Sequence, residues 1–379
     1  MKVVIVGAGF GGLRLARKLN NRAGFDVVLI DRFNYHQFQP LFYQVATAGL
    51  DASNISFPLR KVFQKSKNVK IRMAELKGVV PSENKVITDS EEIQYDVLVL
   101  ATGADTNFFG IRELEQHAFP MKSTVEAFQL RHRLLHLFED AHTISDKDEM
   151  QRLMNIVVVG GGPTGVEVSG ALAEMKKYVL PKDFPELDFT AMNIYLLEGT
   201  GKTLATMSEK SSAKSKKYLE RLGVTVMTNT LVKNYNGLEV ELQDGSRITT
   251  ATVIWAAGIK GNVPGGIEAS LVTRGNRIKT DRYCRVKGLS NVYAIGDLAY
   301  METPKFPNGH PQVAPVAMQQ ADLIAHNLKL MERKSSRNKL LEFEYHDKGS
   351  MATVGRNLAV VDIPRPKLHI GGFFCLADL

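Results

Sequence analysis

The 379-residue sequence predicts an α/β protein with two parallel sheets, and three observations lead there. A strand, a glycine turn and a helix open the chain at Lys2 and recur at Asn155. Each copy later returns in an apolar strand that ends in small residues, Val97–Leu100 before Ala101-Thr102-Gly103 and Thr252–Trp255 before Ala256-Ala257-Gly258. The chain is also too long for one ordinary core, which calls for two or three domains.

The opening stretch sets the pattern. Val3-Val4-Ile5-Val6 reads as a strand, Gly7-Ala8-Gly9-Phe10-Gly11-Gly12 as a turn, Leu13 to Asn20 as a helix and Val27 to Ile30 as a second strand. Gly7, Gly9 and Gly12 have the G-x-G-x-x-G spacing, which turns the chain tightly, lets backbone N–H groups approach a pyrophosphate and packs the helix against the strand. The helix N-terminus then offers partial positive charge to the phosphates. Asp31 lies 24 residues after Gly7, close to the spacing at which a carboxylate accepts hydrogen bonds from a ribose. A tight turn alone would use the same glycines. The agreement of strand, turn, helix, strand and acid favours a dinucleotide site.

Composition narrows the classes. Hydrophobic residues make up 44% and charged residues 23%, a globular balance, and the net charge of +8 suits an anionic partner such as a nucleotide or a lipid headgroup. No apolar run reaches the 18 residues of a membrane span, and the N-terminus begins on a core strand, which predicts no signal peptide. Two distant cysteines, Cys284 and Cys375, predict neither a disulfide framework nor a zinc site and suit a reducing compartment. Basic residues are scattered and carry no recognition motif, so nucleic acid is not an expected partner.

After Asp31 and Arg32, the aromatic-rich segment Phe33 to Gln44 lacks helical or strand periodicity, and Pro40 breaks a helix, so it reads as a loop feeding a short helix. His36 has no partner at metal spacing and reads as structural. Lys70 to Met73, Val79-Val80 and Lys85 to Thr88 read as a meander, and Gly110 to Pro120 as a linker. Ser123 and Glu126 have the spacing of a capping box opening a helix that runs to about Asp140.

The second module repeats the first. Asn155 to Val159 is a strand, Gly160, Gly162 and Gly165 restore the glycine spacing around Thr164, Val166 to Tyr178 is a helix, and Ile194 to Leu197 is a strand closed by Glu198. Glu198 lies 38 residues after Gly160, and the insertion from Lys182 to Thr190 accounts for the excess. An acid there favours an unphosphorylated ribose, hence NADH over NADPH, with Lys202 nearby acting against that preference. The helix Ser208 to Leu222, the strand Val224 to Met227 and strands around 238–242 and 247–249 come next. The chain then returns to its first sheet through Asn291 to Asp297, ending in Gly296-Asp297.

The order GAGFGG, ATG, GGGPTG, AAG and AIGD resembles the two-dinucleotide-binding-domain flavoproteins of the glutathione-reductase-like superfamily, and DRFNYHQFQPLFYQVATAGL, APVAMQQA and DKGSMATVGR resemble type II NADH:quinone oxidoreductases. The resemblance implies two Rossmann-like domains with inserted meanders and a small C-terminal membrane-facing domain. It divides the chain into a discontinuous FAD-binding domain (1–112 and 276–330), an NADH-binding domain (113–275) and a quinone-side segment (331–379). It assigns Gly7, Gly9, Phe10, Gly12, Asp31, Arg32, Gln44, Ala101, Thr102, Gly103, Gly296, Asp297 and Ala317 to FAD, and Gly160, Gly162, Thr164, Gly165, Glu198, Ala257 and Gly258 to NADH. Glu167, Gln319, Gln320 and Lys348 are the expected residues of the quinone reaction. The resemblance also implies a menaquinone- or ubiquinone-type acceptor and peripheral attachment to the cytoplasmic side of the membrane, and a homodimer is compatible with the sequence.

Three departures qualify the resemblance. Asp31 stands where Glu is common, Pro315 stands where the family often has Gln, and the chain stops five residues after Phe374, before the family's amphipathic C-terminal helices. Phe373 and Phe374 are then the expected shallow membrane contacts. A flavin reductase using oxygen or a protein acceptor, and a non-enzymatic NADH sensor, are the alternative functions.

Overall fold

The structure, a computed structural model, describes residues 1–333 and 339–364 and the backbone of 367–373. The chain forms two compact units, one from 1–37, 56–105 and 259–347, the other from 38–55, 106–258 and 348 onward.

The first unit holds a five-stranded parallel sheet in the order Val292–Ala294, Val97–Leu100, Lys2–Val6, Asp26–Asp31, Val69–Met73. The strands other than Val69–Met73 read as mainly apolar runs because both faces are covered. Val3, Ile5, Val27, Leu29, Val97 and Val99 pack on the helix side, with Leu15 and Leu19 of Phe10–Leu19 and Ala321 and Ile324 of Ala314–Glu332. Val4, Val6, Val28, Ile30, Leu98 and Leu100 pack beneath an antiparallel meander of Leu76–Val80, Lys85–Thr88 and Glu92–Gln94. Lys70 to Met73, expected in that meander, is instead part of the parallel edge strand. Only Ile71 of that strand is buried, so its sequence carries the one-sided pattern of a meander strand.

The second unit holds a four-stranded parallel sheet in the order Val224–Thr228, Asn193–Glu198, Asn155–Val159, Thr252–Trp255. Ile156, Val158, Ile194 and Leu196 face the helices Thr124–Thr143, Pro163–Tyr178 and Glu209–Arg221. Val157, Val159, Leu197, Val253 and Trp255 face the second meander through Tyr235, Val240 and Leu242. The aromatic segment contributes the short helix Phe42–Ala46, whose Phe42, Tyr43, Val45 and Ala46 enter the helix-side core.

Three local features differ from expectation. The stretch expected as a linker contains the helix Arg112–His117, whose single buried residue, Leu114, leaves no periodic signal. The helix Lys147–Met154, capped by Asp146, is an addition. Ser123 Oγ accepts from Glu126 N–H at 3.2 Å as the capping box requires, but Glu126 Oε2 accepts from Lys122 N–H at 2.6 Å rather than from Ser123. The box is displaced by one residue.

The antiparallel strands Ser350–Val354, Leu358–Pro364 and Lys367–Phe373 close the second unit against the helices Pro163–Tyr178 and Glu209–Arg221. Asp362 ties this sheet to the start of the latter helix, accepting from Ser208 N–H (2.6 Å), Ser208 Oγ (2.9 Å) and Ser211 Oγ (2.6 Å). Ser208 is the helix N-cap. Asp362→Ala leaves three donors without this acceptor at a partly buried site, a loss of roughly 2 kcal/mol. The melting transition of this unit is expected to fall by roughly 4–8 °C, measured by circular dichroism, whereas Asp362→Asn is expected to keep about half of the stability.

Candidate active site

The two glycine turns have the same geometry. A Cβ at Gly7, whose φ is +101°, would lie 2.2 Å from Ala101 O, and one at Gly12 would lie 1.8 Å from Gly7 O. A Cβ at Gly160 would meet Ala256 C at 2.6 Å and come within 2.8 Å of Ala257 Cα, and one at Gly165 would lie 1.8 Å from Gly160 O. The first and third glycines are therefore fixed by chain-to-chain contact. The middle ones, Gly9 and Gly162, would meet no protein atom within 4 Å. Internal packing does not require glycine there, whereas close backbone approach to a ligand phosphate does. Each middle glycine caps a helix, at Phe10 and at Pro163, whose positive end faces the same place.

The acids at the strand ends hold these turns. Asp31 Oδ2 accepts from Ala8 N–H at 2.6 Å and Oδ1 from Phe33 N–H at 2.8 Å. Glu198 Oε2 accepts from Gly161 N–H at 2.6 Å, and Oε1 accepts from Thr200 N–H (2.7 Å) and Thr200 Oγ1 (2.6 Å). Ala8 and Gly161 occupy the same place, one residue after the first glycine. A carboxylate oxygen has two lone-pair directions, so protein bonds leave acceptor capacity for ribose hydroxyls. Burial raises the Asp31 pKa, and the N–H bonds from Ala8 and Phe33 and the Arg32 charge oppose that shift.

The shorter acid also has a reason. A Cβ at Gly161 would lie 2.9 Å from Glu198 Oε2 and 3.0 Å from its Cβ and Cγ. The Glu198 side chain thus crowds the space above Gly161, whereas Asp31 coexists with the methyl of Ala8. His36, read from sequence as structural, completes the first turn through Nδ1, 2.8 Å from Ala8 O, and Phe10 packs edge-on against its ring. In the second turn Leu204 N–H donates to Gly161 O at 2.7 Å.

The remaining residues assigned to FAD, apart from Gln44, lie in the first unit. Thr102 Oγ1 donates to Asn262 O at 2.7 Å, and Asn262 N–H donates to Gly103 O at 3.0 Å. Gly296, with φ +69°, passes Ala317, whose Cβ would lie 3.1 Å from a Cβ added at 296. Gly296 N–H donates to Oε1 of the buried Gln320 at 2.7 Å, and Gln312 Nε2 donates to Asp297 O at 2.9 Å. Arg32 stacks on Phe33 at 5.3 Å. The open middle glycine, the helix N-terminus and the Gly296-Asp297 bend passing Ala317 fit a flavin dinucleotide.

Gln319 is held by both ends of its amide, with Nε2 donating to His346 O at 2.9 Å and Oε1 accepting from His346 N–H at 3.0 Å. Pro315 sits in the first turn of Ala314–Glu332, where its missing N–H would have no helical partner.

Glu167 lies in the second unit, in the first turns of Pro163–Tyr178, at a cavity of about 250 Å³. Gln39, Tyr43, Met121, Lys122, Thr164 and Met351 are among its walls. Burial drives the Glu167 pKa from 4.5 up to about 8, against the lowering effect of a single long bond from Thr353 N–H at 3.5 Å. Thr353 Oγ1 in turn lies 3.0 Å from Tyr43 OH, which accepts from Gln44 Nε2 at 3.0 Å. Sequence reasoning missed Tyr43 and Lys122 here, although the aromatic segment placed Tyr43 two residues before Val45. Lys348 is exposed and does not line this cavity.

Cys284 is buried and free, its thiol pushed up by burial, and Cys375 lies outside the described residues. No group of three metal-ligating side chains occurs among the described residues.

Residues 1–321 match the pyridine nucleotide-disulphide oxidoreductase family. A type II NADH:quinone oxidoreductase of Mycobacterium tuberculosis is 35% identical over 378 residues, spanning 96% of this chain and 79% of the relative. The chain belongs to the type II NADH:quinone oxidoreductase family. The Staphylococcus aureus member is 29% identical over 93% of this chain and 87% of its own. The structure of NDH2 from Plasmodium falciparum in complex with NADH superposes with a TM-score of 0.90 at 21% identity, covering 98% of this chain and 91% of that one, and shares the fold.

The pairing of side-chain length with the turn residue is testable in this family member. Gly161→Ala is expected to displace Glu198 and weaken pyridine-nucleotide binding about tenfold, as one charge-assisted contact is lost. Adding Glu198→Asp recreates the Ala8 and Asp31 combination and is expected to recover most of that loss. Titration calorimetry of the two variants checks both, and a double variant no better than the single one would separate residue 161 from the acid.

Proposed function

We propose that the protein is a non-proton-pumping NADH:quinone oxidoreductase that uses FAD, with the first unit holding FAD and the second NADH. The reaction is NADH plus a proton plus quinone giving NAD⁺ and quinol. When bound, FAD accepts the hydride and passes two electrons onward. The chain's own part is to bind, orient and supply protons. Gly7, Gly9, Gly12 and Asp31 hold one dinucleotide, and Gly160, Gly162, Gly165 and Glu198 the other. The nucleotide in the second unit meets an acid rather than a cation at its ribose, which favours NADH.

The observation that carries the reading is Glu167, a carboxyl that keeps its proton to about pH 8 beside a cavity at the glycine-motif helix. Quinol formation consumes a proton beyond the one carried by the hydride, and a carboxyl protonated at neutral pH can donate it. Gln319 and Gln320 serve this reading by holding His346 and Gly296 in place.

Glu167→Gln is expected to keep FAD bound and to slow anaerobic reoxidation by quinone about tenfold or more. In the unmodified protein this step should fall as pH rises through about 8, where Glu167 loses its proton, and the variant should lack that break. Stopped-flow traces from pH 6 to 9 measure both. Unchanged rates and an unchanged pH profile would assign Glu167 to structure alone, and reoxidation by oxygen faster than by quinone would overturn the quinone reading.

A quinone with an isoprenoid tail resides in the bilayer, so its reductase must reach the membrane surface. No helix among the described residues is long and apolar enough to cross a membrane, and the net charge of +8 suits anionic headgroups. The side chain of Phe373, and Phe374 altogether, lie outside the described residues. The protein is expected to sediment with anionic liposomes at low salt and to be released at high salt. Salt-resistant sedimentation would point to a hydrophobic anchor.

A further inference from the structure

We infer that Glu209, through its ion pair with Lys202, sets the selectivity of the second nucleotide site against a 2′-phosphate. The inference rests on the proposal that Glu198 faces the adenosine ribose. The loop after Glu198 is fixed to the site at three points. Thr200 donates from N–H and Oγ1 to Glu198 Oε1, Thr200 Oγ1 also lies 3.2 Å from Lys202 O, and Leu204 N–H donates to Gly161 O at 2.7 Å. Lys202 therefore sits on an anchored loop, four residues from the acid that would meet the ribose.

Without an anionic partner, a lysine on that loop offers the charge a 2′-phosphate needs. A 2′-phosphate carries about −1.5 to −2 charges at neutral pH and is bound by cations placed beside the ribose. Lys202 Nζ is instead held by Glu209 Oε1. Glu209 is the first residue of the helix Glu209–Arg221, capped by Ser208, and its side chain is 83% exposed against 34% for Lys202. The local set is then Glu198, Lys202 and Glu209, with a net charge of −1. Removing Glu209 brings the set to zero and releases the ammonium. Removing Glu198 reaches the same sum but leaves Lys202 paired and takes the hydrogen-bond acceptor from Gly161 N–H. Both changes remove a negative charge, but only the first also frees a cation to pair with a 2′-phosphate.

An acid in the first helical turn also has an ordinary role, since it complements the helix dipole. That role predicts a change in stability with no change in ligand choice. Titration calorimetry on the whole protein separates the two. The probes are 5′-AMP, adenosine 2′,5′-bisphosphate, NADH and NADPH. Glu209→Gln is expected to strengthen binding of the bisphosphate and of NADPH about fivefold, the size of one exposed ion pair, with 5′-AMP and NADH within twofold of the parent. In the Lys202→Met background the gain should vanish. No gain with Glu209→Gln, or an equal gain without Lys202, overturns the inference. Glu198→Ala is run alongside. If it leaves NADH affinity unchanged, the ribose is not at this strand end and both readings fall. If it weakens NADH while Glu209→Gln leaves the bisphosphate unchanged, only the inference about Glu209 falls.

Discussion

A carboxylate oxygen 2.6 Å from one backbone N–H organises each half of this molecule. The donor is the residue after the first glycine, and the acceptor is the acid that ends the neighbouring strand. Such a bond to a charged acceptor contributes on the order of 1.5–3 kcal/mol and fixes the turn that directs the next helix. Without it the glycines would be free to move, since glycine loses more conformational freedom on ordering than any other residue. The two halves meet one requirement with two solutions, alanine with a short acid and glycine with a long one.

The carbonyl of that same residue shows where the halves part. In the first unit it is held by the His36 side chain, in the second by the backbone N–H of Leu204. The first arrangement binds the turn to the strand Tyr35–Gln37, and the second binds it to the loop Gly199 to Ser208. The segment after each acid is thereby drawn to the turn. The aromatic segment and the lysine-bearing loop are both consequences of closing a glycine turn from the far side.

Much of this architecture was legible in the sequence. Both sheets were, because parallel strands buried on two faces read as unbroken apolar runs and the glycine spacings recur in full. The edge strand Val69–Met73 was not, because one-sided burial looks alike in parallel and antiparallel strands. Arg112–His117 escaped because it buries one side chain. At the site, the glycines and acids were visible as pattern, but the partners of their polar atoms were not. Gln319 and Gln320 have the composition of substrate contacts, yet their amides are bonded to His346 and Gly296 across 27 and 24 residues of sequence. Long-range pairing of that kind leaves no local signal.

The three acids near the turns show how donors assign roles. Asp31 receives two short backbone N–H bonds, and Glu198 receives two and a hydroxyl. Glu167 receives one, at 3.5 Å. The start of its helix offers favourable charge, but a helix terminus contributes at most about 2 kcal/mol and fades within a turn. That is about 1.5 pH units at about 1.36 kcal/mol each, too small to offset burial that moves the group to about 8. A carboxylate wrapped by short donors is suited to holding something still. A carboxyl with one long donor, beside a cavity, is suited to giving up its proton. In the proposed mechanism, the same residue chemistry divides between binding and transfer according to how many N–H groups the backbone turns toward it.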